Sequence, residues 1–206
     1  MASIKDKVPD FTFEYECLIK GYNFIAGVDE VGRGAWAGPV YVGAAIMPYY
    51  IDGIYDSKLL NAKNREIMAD KIKQEAIAWA TASANLDEIN KLGIHQATFL
   101  AFRRVVEALE DVDFVLSDAF TIPGLKVEQQ AITKGDMQSV SIAAASIIAK
   151  VERDNLMGEL GKKYPEYFFD SHKGYGTKFH QECLAKHGPC EIHRKGFKPI
   201  AKYLNC

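Results

Sequence analysis

The sequence contains few cysteines and no long apolar run. Four cysteines scattered over 206 residues are too few for a disulfide scaffold, so we expect reduced thiols. Charged residues or prolines interrupt every apolar stretch before it reaches membrane-spanning length. The polar start also lacks the apolar segment of a secretory signal. These absences predict a cytoplasmic protein without a membrane partner.

A strong positive charge, which often accompanies nucleic-acid binding, is also missing, because the formal net charge is −2. The charge is unevenly distributed: residues 150–206 carry 11 Lys and Arg against 7 Asp and Glu, and residues 1–149 carry 14 against 20. The basic end could grip phosphates while the acidic part binds metal. On charge alone, however, a solvated charged surface is the better interpretation.

The apolar residues that are present, 48% of the chain, are enough for a substantial core and predict one domain. Alternating and three- to four-residue periodicities assign the elements. They predict strands over 24–28 and 40–47, a helix over 62–75, a strand over 76–84, a helix over 94–110, strands over 113–118 and 125–132, and helices over 139–160 and 178–186. This mixture indicates an α/β domain with a mixed sheet.

Acidic residues lie at the edges of several apolar segments. Asp29 and Glu30 end the first strand, Asp118 ends a later one, and Asp154 lies inside the long helix. Each alone is more simply a solvated acid, but clustered carboxylates repel one another unless a cation neutralises them. Oxygen-only ligation favours Mg²⁺ or Mn²⁺ over zinc. Asp136, in a loop, is a rival fourth acid that we rank below Asp154.

Two further features have simple alternative interpretations. Lys150 precedes Asp154 by one helical turn, so an i,i+4 ion pair explains that acid about as well as metal binding does. The turn Gly32-Arg33-Gly34 could expose backbone N–H groups to a ligand, yet alone it is equally a tight turn between strands. Its position directly after an acidic pair strengthens the functional interpretation.

Five motifs occur in order from about residue 24 to the end of the sequence. They are 27–34 (GVDEVGRG) with 37–40 (AGPV), 56–59 (DSKL), 134–136 (KGD) with 142–154 (IAAASIIAKVERD), 172–177 (HKGYGT) and 187–194 (HGPCEIHR). Together they resemble the motifs of the type 2 ribonucleases H (ribonuclease HII). The departures are local, such as Ala35-Trp36 in place of the usual Pro-Leu, and they remove no predicted metal ligand.

The resemblance implies a ribonuclease H-like fold, in which helices flank a mixed five-stranded sheet. It implies a catalytic core over 1–170 and a small C-terminal helical segment over 171–206 that completes the substrate cleft. It also implies four residues that are both catalytic and metal-binding. These are Asp29, Glu30, Asp118 and Asp154.

The same resemblance implies the substrate-binding residues. The backbone of Gly32, Arg33 and Gly34 would read the ribose 2′-hydroxyl, and Tyr175 would stack on the sugar beside the scissile phosphate. Arg33 and Lys58 would contact phosphates, although a solvent-facing lysine explains Lys58 equally well.

The implied reaction is hydrolysis of the RNA strand of RNA–DNA hybrids, and incision 5′ of ribonucleotides embedded in duplex DNA. Two divalent cations, Mg²⁺ or Mn²⁺, would serve each site and leave 3′-hydroxyl and 5′-phosphate ends. These two nucleic acids are the expected partners, and we expect a monomer.

Three other interpretations remain open at this point. Cys183, His187, Cys190 and His193 could bind zinc, although their spacing lacks a Cys-x-x-Cys pair and favours helix packing with a capping turn. A resolvase- or transposase-type nuclease of the same fold would share the acids, but not the glycine turn together with Tyr175. A catalytically silent hybrid-binding module would have no use for four clustered acids, which only cost stability.

Overall fold

The computed structural model describes residues 8–51, 53–54 and 60–204. Seven helices and five strands are defined within these ranges. They are α1 (Thr12–Ile19), β1 (Ile25–Val31), β2 (Val40–Ile46), α2 (Ala62–Glu75), β3 (Ala78–Ala84), α3 (Leu86–Glu107), β4 (Phe114–Asp118), β5 (Glu128–Ile132), α4 (Val140–Lys163), α5 (Phe169–His172), α6 (Lys178–His187) and α7 (Lys198–Leu204). Short 3₁₀ turns lie at Gly135–Met137 and Pro165–Tyr167.

The five strands form one mixed sheet in the order β3-β2-β1-β4-β5. The chain runs antiparallel through β1, β2 and β3, as hairpin-connected strands do, and β4 and β5 then join parallel to β1. The predicted mixed five-stranded sheet is therefore confirmed. Because β1 is central, its end is flanked by neighbouring strands on both sides, and residues there are brought close to other parts of the chain.

Helices cover both faces of the sheet. On one face α3 packs against alternate residues of β1, β2 and β4, and on the other α2 and α4 bury a second apolar cluster. The small residues of α4 let it lie close to the sheet. Gly43 of β2 shows how close, because a Cβ there would come within 2.2 Å of the Ala145 carbonyl oxygen.

Four helices differ from the prediction, and two of them, α5 and α7, are short C-terminal helices that the periodicity does not assign. The short helix α1 was not predicted, since its eight residues carry only a weak apolar pattern. Helix α3 begins at Leu86 rather than near 94, because Asn85 and Glu88 form a capping box. Its kink falls at Gly93, whose φ is 77°.

The C-terminal helices pack against the end of α4 and the loop that follows β1. Met157, Phe169 and Leu184 form the centre of this third apolar cluster, and Ala37 joins it from the loop. Backbone bonds tie the loop to the same region, since Trp36 N–H donates to the Gly174 carbonyl at 2.8 Å. Within the described ranges, no helix combines the length and the apolarity that a membrane span requires.

Candidate active site

Two predicted acids lie at the same edge of the sheet. Strands β1 and β4 are parallel neighbours, and their register pairs Val28 with Ser117. The next residues along the two strands are Asp29 and Asp118, so their side chains emerge side by side. The prediction that strand ends bring these two acids together agrees with this geometry.

A third acid reaches the same edge from the 3₁₀ turn after β5. The backbone N–H of Gly135 donates to Asp118 Oδ1 at 2.7 Å, which fixes the turn against the end of β4. Asp136 follows and is buried. As a result, one carboxylate oxygen from each of Asp29, Asp118 and Asp136 lies within 4.8 Å of the others.

The surroundings of Asp29 fit a cation better than they fit a lone carboxylate. Burial raises the pKa of Asp29 well above its usual range, and the charges of Glu30, Asp118 and Asp136 raise it further. A hydrogen bond with Ser146 of α4 opposes this rise. A divalent cation would offset both the desolvation and the mutual repulsion, and hard carboxylate oxygens are ligands that Mg²⁺ and Mn²⁺ accept.

Glu30 lies at the margin of this group. Successive side chains of a strand point to opposite faces, which separates Glu30 from Asp29, yet the charge of Glu30 still raises the pKa of Asp29. Its carboxylate pairs with Arg33, whose Nη1 lies 2.9 Å from Oε1. Burial raises the pKa of Glu30, Arg33 lowers it, and Asp118 raises it, which places Asp118 within electrostatic range.

Asp154 lies outside the group, which corrects the expectation that it completes the cluster. Lys150 Nζ donates to its Oδ1 at 2.5 Å, and Arg65 lies 3.6 Å from its Oδ2. Helix geometry is the reason for this separation. Ser146, which contacts Asp29, precedes Asp154 by eight residues, a rise of about 12 Å along α4. The i,i+4 ion pair, left open by the sequence, is therefore present.

Two buried arginines, Arg153 and Arg194, contact the turn Gly32-Arg33-Gly34. Arg194 donates to the carbonyl oxygens of Gly32 at 2.7 Å, Arg33 at 2.9 Å and Gly38 at 2.9 Å. Arg153 passes so close that a Cβ on Gly32, where φ is 89°, would meet its Nε at 2.0 Å. Arg194 thus occupies the carbonyl oxygens of Gly32 and Arg33, and within the turn Gly32 is buried while Gly34 is exposed.

Tyr175 lies beside this turn. The residue is 36% exposed, and the Arg153 guanidinium lies 5.4 Å from its ring centroid. The loop that carries Tyr175 packs on Trp36, because a Cβ on Gly176 would meet the indole ring at 2.2 Å. The tryptophan that departs from the usual Pro-Leu thus forms part of the support for Tyr175.

Buried histidines support the same loop. His193 Nδ1 accepts from the Cys190 N–H at 2.9 Å, so its Nε2 carries the proton and donates to His180 Nε2 at 3.0 Å. His180 Nδ1 is then left to donate to the Tyr175 carbonyl at 3.0 Å. Burial lowers the pKa of both histidines to about 4, which keeps this neutral chain intact at physiological pH.

Two other expectations concern Lys58 and a possible zinc site. Lys58 and the motif at 56–59 lie outside the described residues. For zinc, the acid cluster is the one group of three or more close ligand atoms among the residues that the structure describes, and it includes neither Cys190 nor His193. Cys183 packs in the third apolar cluster, and the Cys190 N–H donates to His193 Nδ1.

Sequence reasoning underrated or missed several side chains of this region. Asp136 was considered but ranked low, although its motif, 134–136, was one of the five recognised. Arg153 and Arg194 were quoted within motifs but given no role, since nothing local in the sequence shows that an arginine is buried. Ser146 lies within the motif 142–154, but only the structure shows its hydrogen bond with Asp29.

A sheet edge with three converging carboxylates, beside a glycine turn and an exposed tyrosine, is suited to holding divalent cations against a phosphodiester. This is the arrangement expected of a metal-dependent nuclease. Residues 26–200 match the family described as Ribonuclease HII. A ribonuclease HII from Caldicellulosiruptor bescii is 49% identical over 190 residues, which cover 91% of this chain and 92% of that relative.

Solved structures share the fold. The ribonuclease H2 of Pyrococcus horikoshii OT3 matches with a TM-score of 0.74 at 24% identity, over 89% of this chain and 98% of that one. Bst-RNase HIII in complex with Mn²⁺ matches with a TM-score of 0.65 at 21% identity, over 90% and 70% of the two chains. The chain belongs to the ribonuclease HII family. It is a ribonuclease H, an enzyme that acts on RNA–DNA hybrids.

Proposed function

We propose that this ribonuclease H cleaves both continuous hybrids and single ribonucleotides embedded in duplex DNA. Cleavage falls on the 5′ side of the ribonucleotide and leaves 3′-hydroxyl and 5′-phosphate ends. The observation that carries the proposal is the convergence of Asp29, Asp118 and Asp136 within 4.8 Å, beside the turn at Gly32 and Gly34.

The cation-binding residues in this proposal are Asp29, Glu30, Asp118 and Asp136, with Asp136 in place of Asp154. Two divalent cations bound there would supply a water of lowered pKa and stabilise the leaving 3′-oxygen. Asp29 would be the central ligand of the site, because the charges of the other three acids all act on it. Mg²⁺ and Mn²⁺ both suit this donor set, and the ribonuclease HIII relative is recorded with Mn²⁺.

Selectivity for RNA comes from the turn and from Tyr175. The backbone N–H groups of Gly32 and Gly34 would meet a ribose 2′-hydroxyl, the group that distinguishes RNA from DNA at a given site. Tyr175 would stack on the neighbouring sugar, and Arg33 would contact a phosphate once the substrate competes with Glu30 for it.

The expected division into a core over 1–170 and a segment over 171–206 also bears on the substrate-binding turn. The later segment contributes Tyr175 and the buried Arg194, and both lie against the turn after β1. We therefore propose that the C-terminal segment completes the substrate cleft. A single copy of the chain holds all of these residues, which is consistent with action as a monomer.

The test uses three duplexes labelled at the 5′ end: a continuous RNA–DNA hybrid, a DNA duplex with one ribonucleotide, and an all-DNA duplex. Each is incubated with the enzyme in Mg²⁺ and then in Mn²⁺, and the ends are identified by ligation and phosphatase treatment. Cleavage of the first two, 5′ of the ribonucleotide and with 3′-hydroxyl ends, is expected.

The matched control is Asp118→Asn, which should bind the hybrid but cut neither substrate. Cleavage of the all-DNA duplex, cleavage 3′ of the ribonucleotide, or full activity without divalent cations would contradict the proposal. Inactivity on the single-ribonucleotide duplex alone would confine the enzyme to continuous hybrids.

A further inference from the structure

A buried glutamate of α1 reaches the start of α4. Glu14 is only 1% exposed, although it belongs to a short helix near the N-terminus. Its Oε1 accepts two hydrogen bonds, from the Ser139 hydroxyl at 2.6 Å and from the Ser141 N–H at 2.8 Å. Glu14 lies before residues 26–200, the part of the chain that matches the family.

These bonds complete the cap of the longest helix. The Ser139 side chain accepts from the Ile142 N–H at 3.2 Å and, with the same hydroxyl, donates to Glu14. The first N–H groups of a helix have no partner within the helix, and a carboxylate there is also favoured by the helix dipole. Glu14 therefore fixes where α4 begins and how Ser139 is oriented.

Ser139 is also hydrogen-bonded to the 3₁₀ turn that carries Asp136. Its N–H donates to the Gly135 carbonyl at 2.9 Å, while the Gly135 N–H donates to Asp118 at 2.7 Å. Asp136 thus lies in a tight turn that two hydrogen bonds hold in place. One joins Gly135 to Asp118, and the other joins Gly135 to Ser139, the N-cap of α4. A backbone bridge between Asp10 and Ser139 reinforces the second connection.

We infer that Glu14 is a positioning residue for the cation site. It acts through Ser139 to hold the carboxylate of Asp136 at its distance from Asp29 and Asp118. This inference rests on the proposed function, because it takes those three acids as cation ligands. Groups that orient metal ligands affect cation affinity, and their loss commonly weakens binding about 10–100-fold. Because Glu14 acts on Asp136 only through Ser139, we expect its loss to weaken cation binding by an amount at the lower end of that range.

The test measures binding of Mn²⁺ alone, by the loss of the free-ion signal in electron paramagnetic resonance, on the full chain. Glu14→Ala should weaken Mn²⁺ binding about tenfold. Glu14→Gln keeps an oxygen that can accept both hydrogen bonds, and should stay within about threefold of the wild type. Glu16→Gln makes the same charge change at an exposed position of α1 and should leave binding unchanged.

Kinetics provide a second readout that a loss of stability would not imitate. For Glu14→Ala, the Mn²⁺ concentration giving half-maximal cleavage should rise about tenfold, while the rate at saturating Mn²⁺ stays near that of the wild type. Should Glu14→Ala fail to fold, Ser139→Ala removes the hydroxyl that links Glu14 to the turn. That variant should weaken Mn²⁺ binding in the same way.

The outcomes separate the two proposals. If the wild type bound no Mn²⁺, or bound it equally after Asp118→Asn, the proposed cation site itself would fail. If the wild type bound Mn²⁺ but Glu14→Ala or Ser139→Ala bound it as tightly, the positioning role of Glu14 alone would be overturned. Equal weakening by Glu14→Gln and Glu14→Ala would also overturn it, because it would point to the charge rather than the hydrogen bonds.

Discussion

Replacing Asp136 by asparagine removes one negative charge from the acid cluster and keeps the side-chain volume. Because the three carboxylates lie within 4.8 Å of one another, the repulsion between two ionised members is about 3.5 kcal/mol at an effective dielectric constant of 20. Relief of this repulsion should leave the free energy of unfolding of the cation-free protein no lower than that of the wild type. Cleavage should fall about 1,000-fold or more, equivalent to a loss of about 4 kcal/mol of transition-state stabilisation.

The same substitution at Asp154 should have the opposite pattern. Asp154 pairs with Lys150 and Arg65, and its side chain is 19% exposed. Asp154→Asn should therefore lower the free energy of unfolding by about 1 kcal/mol, through the weakened ion pairs. Cleavage should stay within about threefold of the wild type, since helix geometry sets Asp154 about 12 Å along α4 from the contact with Asp29.

The assay for this pair is single-turnover cleavage of an RNA–DNA hybrid at saturating Mg²⁺, with urea denaturation of each variant in chelator. Binding of the uncut hybrid serves as the control for folding. The reasoning is refuted if Asp154→Asn loses cleavage while Asp136→Asn keeps it. It is also refuted if Asp136→Asn loses stability as well as activity, because a misfolded site would then explain the result.

The remaining predictions concern the substrate turn and its supports. Tyr175→Ala should lower kcat/KM on a single embedded ribonucleotide about tenfold, because stacking is lost, while Tyr175→Phe should stay near the wild type. If Tyr175→Ala cleaved as fast as the wild type, Tyr175 would not belong to the site. Arg194→Lys should lower the free energy of unfolding by about 2–4 kcal/mol, because one ammonium group cannot replace three guanidinium hydrogen bonds to separate carbonyls. Urea denaturation measures this free energy, and an unchanged midpoint would contradict the supporting role of Arg194. Burial lowers the pKa of His180 and His193 to about 4, so their stabilising contribution is present above pH 6.5 and is lost as the pH falls towards 4. His180→Gln should therefore show a smaller acid-induced loss of stability over that window than the wild type, whereas His95→Gln, at an exposed position, should match the wild type; identical slopes in all three proteins would contradict the assignment.

Asp118 is the last residue of β4, as the sequence pattern predicts, whereas β1 continues two residues beyond Asp29 to Val31. An apolar run that ends in an acid predicts both the strand and the position of the acid, and parallel pairing of β1 with β4 then brings Asp29 and Asp118 together. Which strands are neighbours is not local information, and the periodicity does not contain it.

The choice between Asp136 and Asp154 required a distance that the sequence does not contain. Both follow small or apolar segments, and Asp154 lies on the more regular element. Only the packing of α4 shows that Ser146 is the residue level with Asp29, which leaves Asp154 two turns beyond. The KGD motif was visible, but its role depends on the turn that Gly135 makes against Asp118.

The supports of the site were the hardest features to predict. Arginine is rarely buried without an acidic partner, so the sequence gives no reason to place Arg194 beneath the turn after β1. Its partners are backbone carbonyls more than 150 residues away along the chain. The beginning of α3 was a different case, because the spacing of Asn85 and Glu88 is a capping-box pattern that was present in the sequence.

The most direct test of the cation site is anomalous diffraction from crystals of the protein soaked in Mn²⁺. The account predicts a strong anomalous peak in direct contact with carboxylate oxygens of Asp29, Asp118 and Asp136, and none at Asp154. A peak held by Asp154 and lacking Asp136, or no peak among the three acids at saturating Mn²⁺, would contradict it.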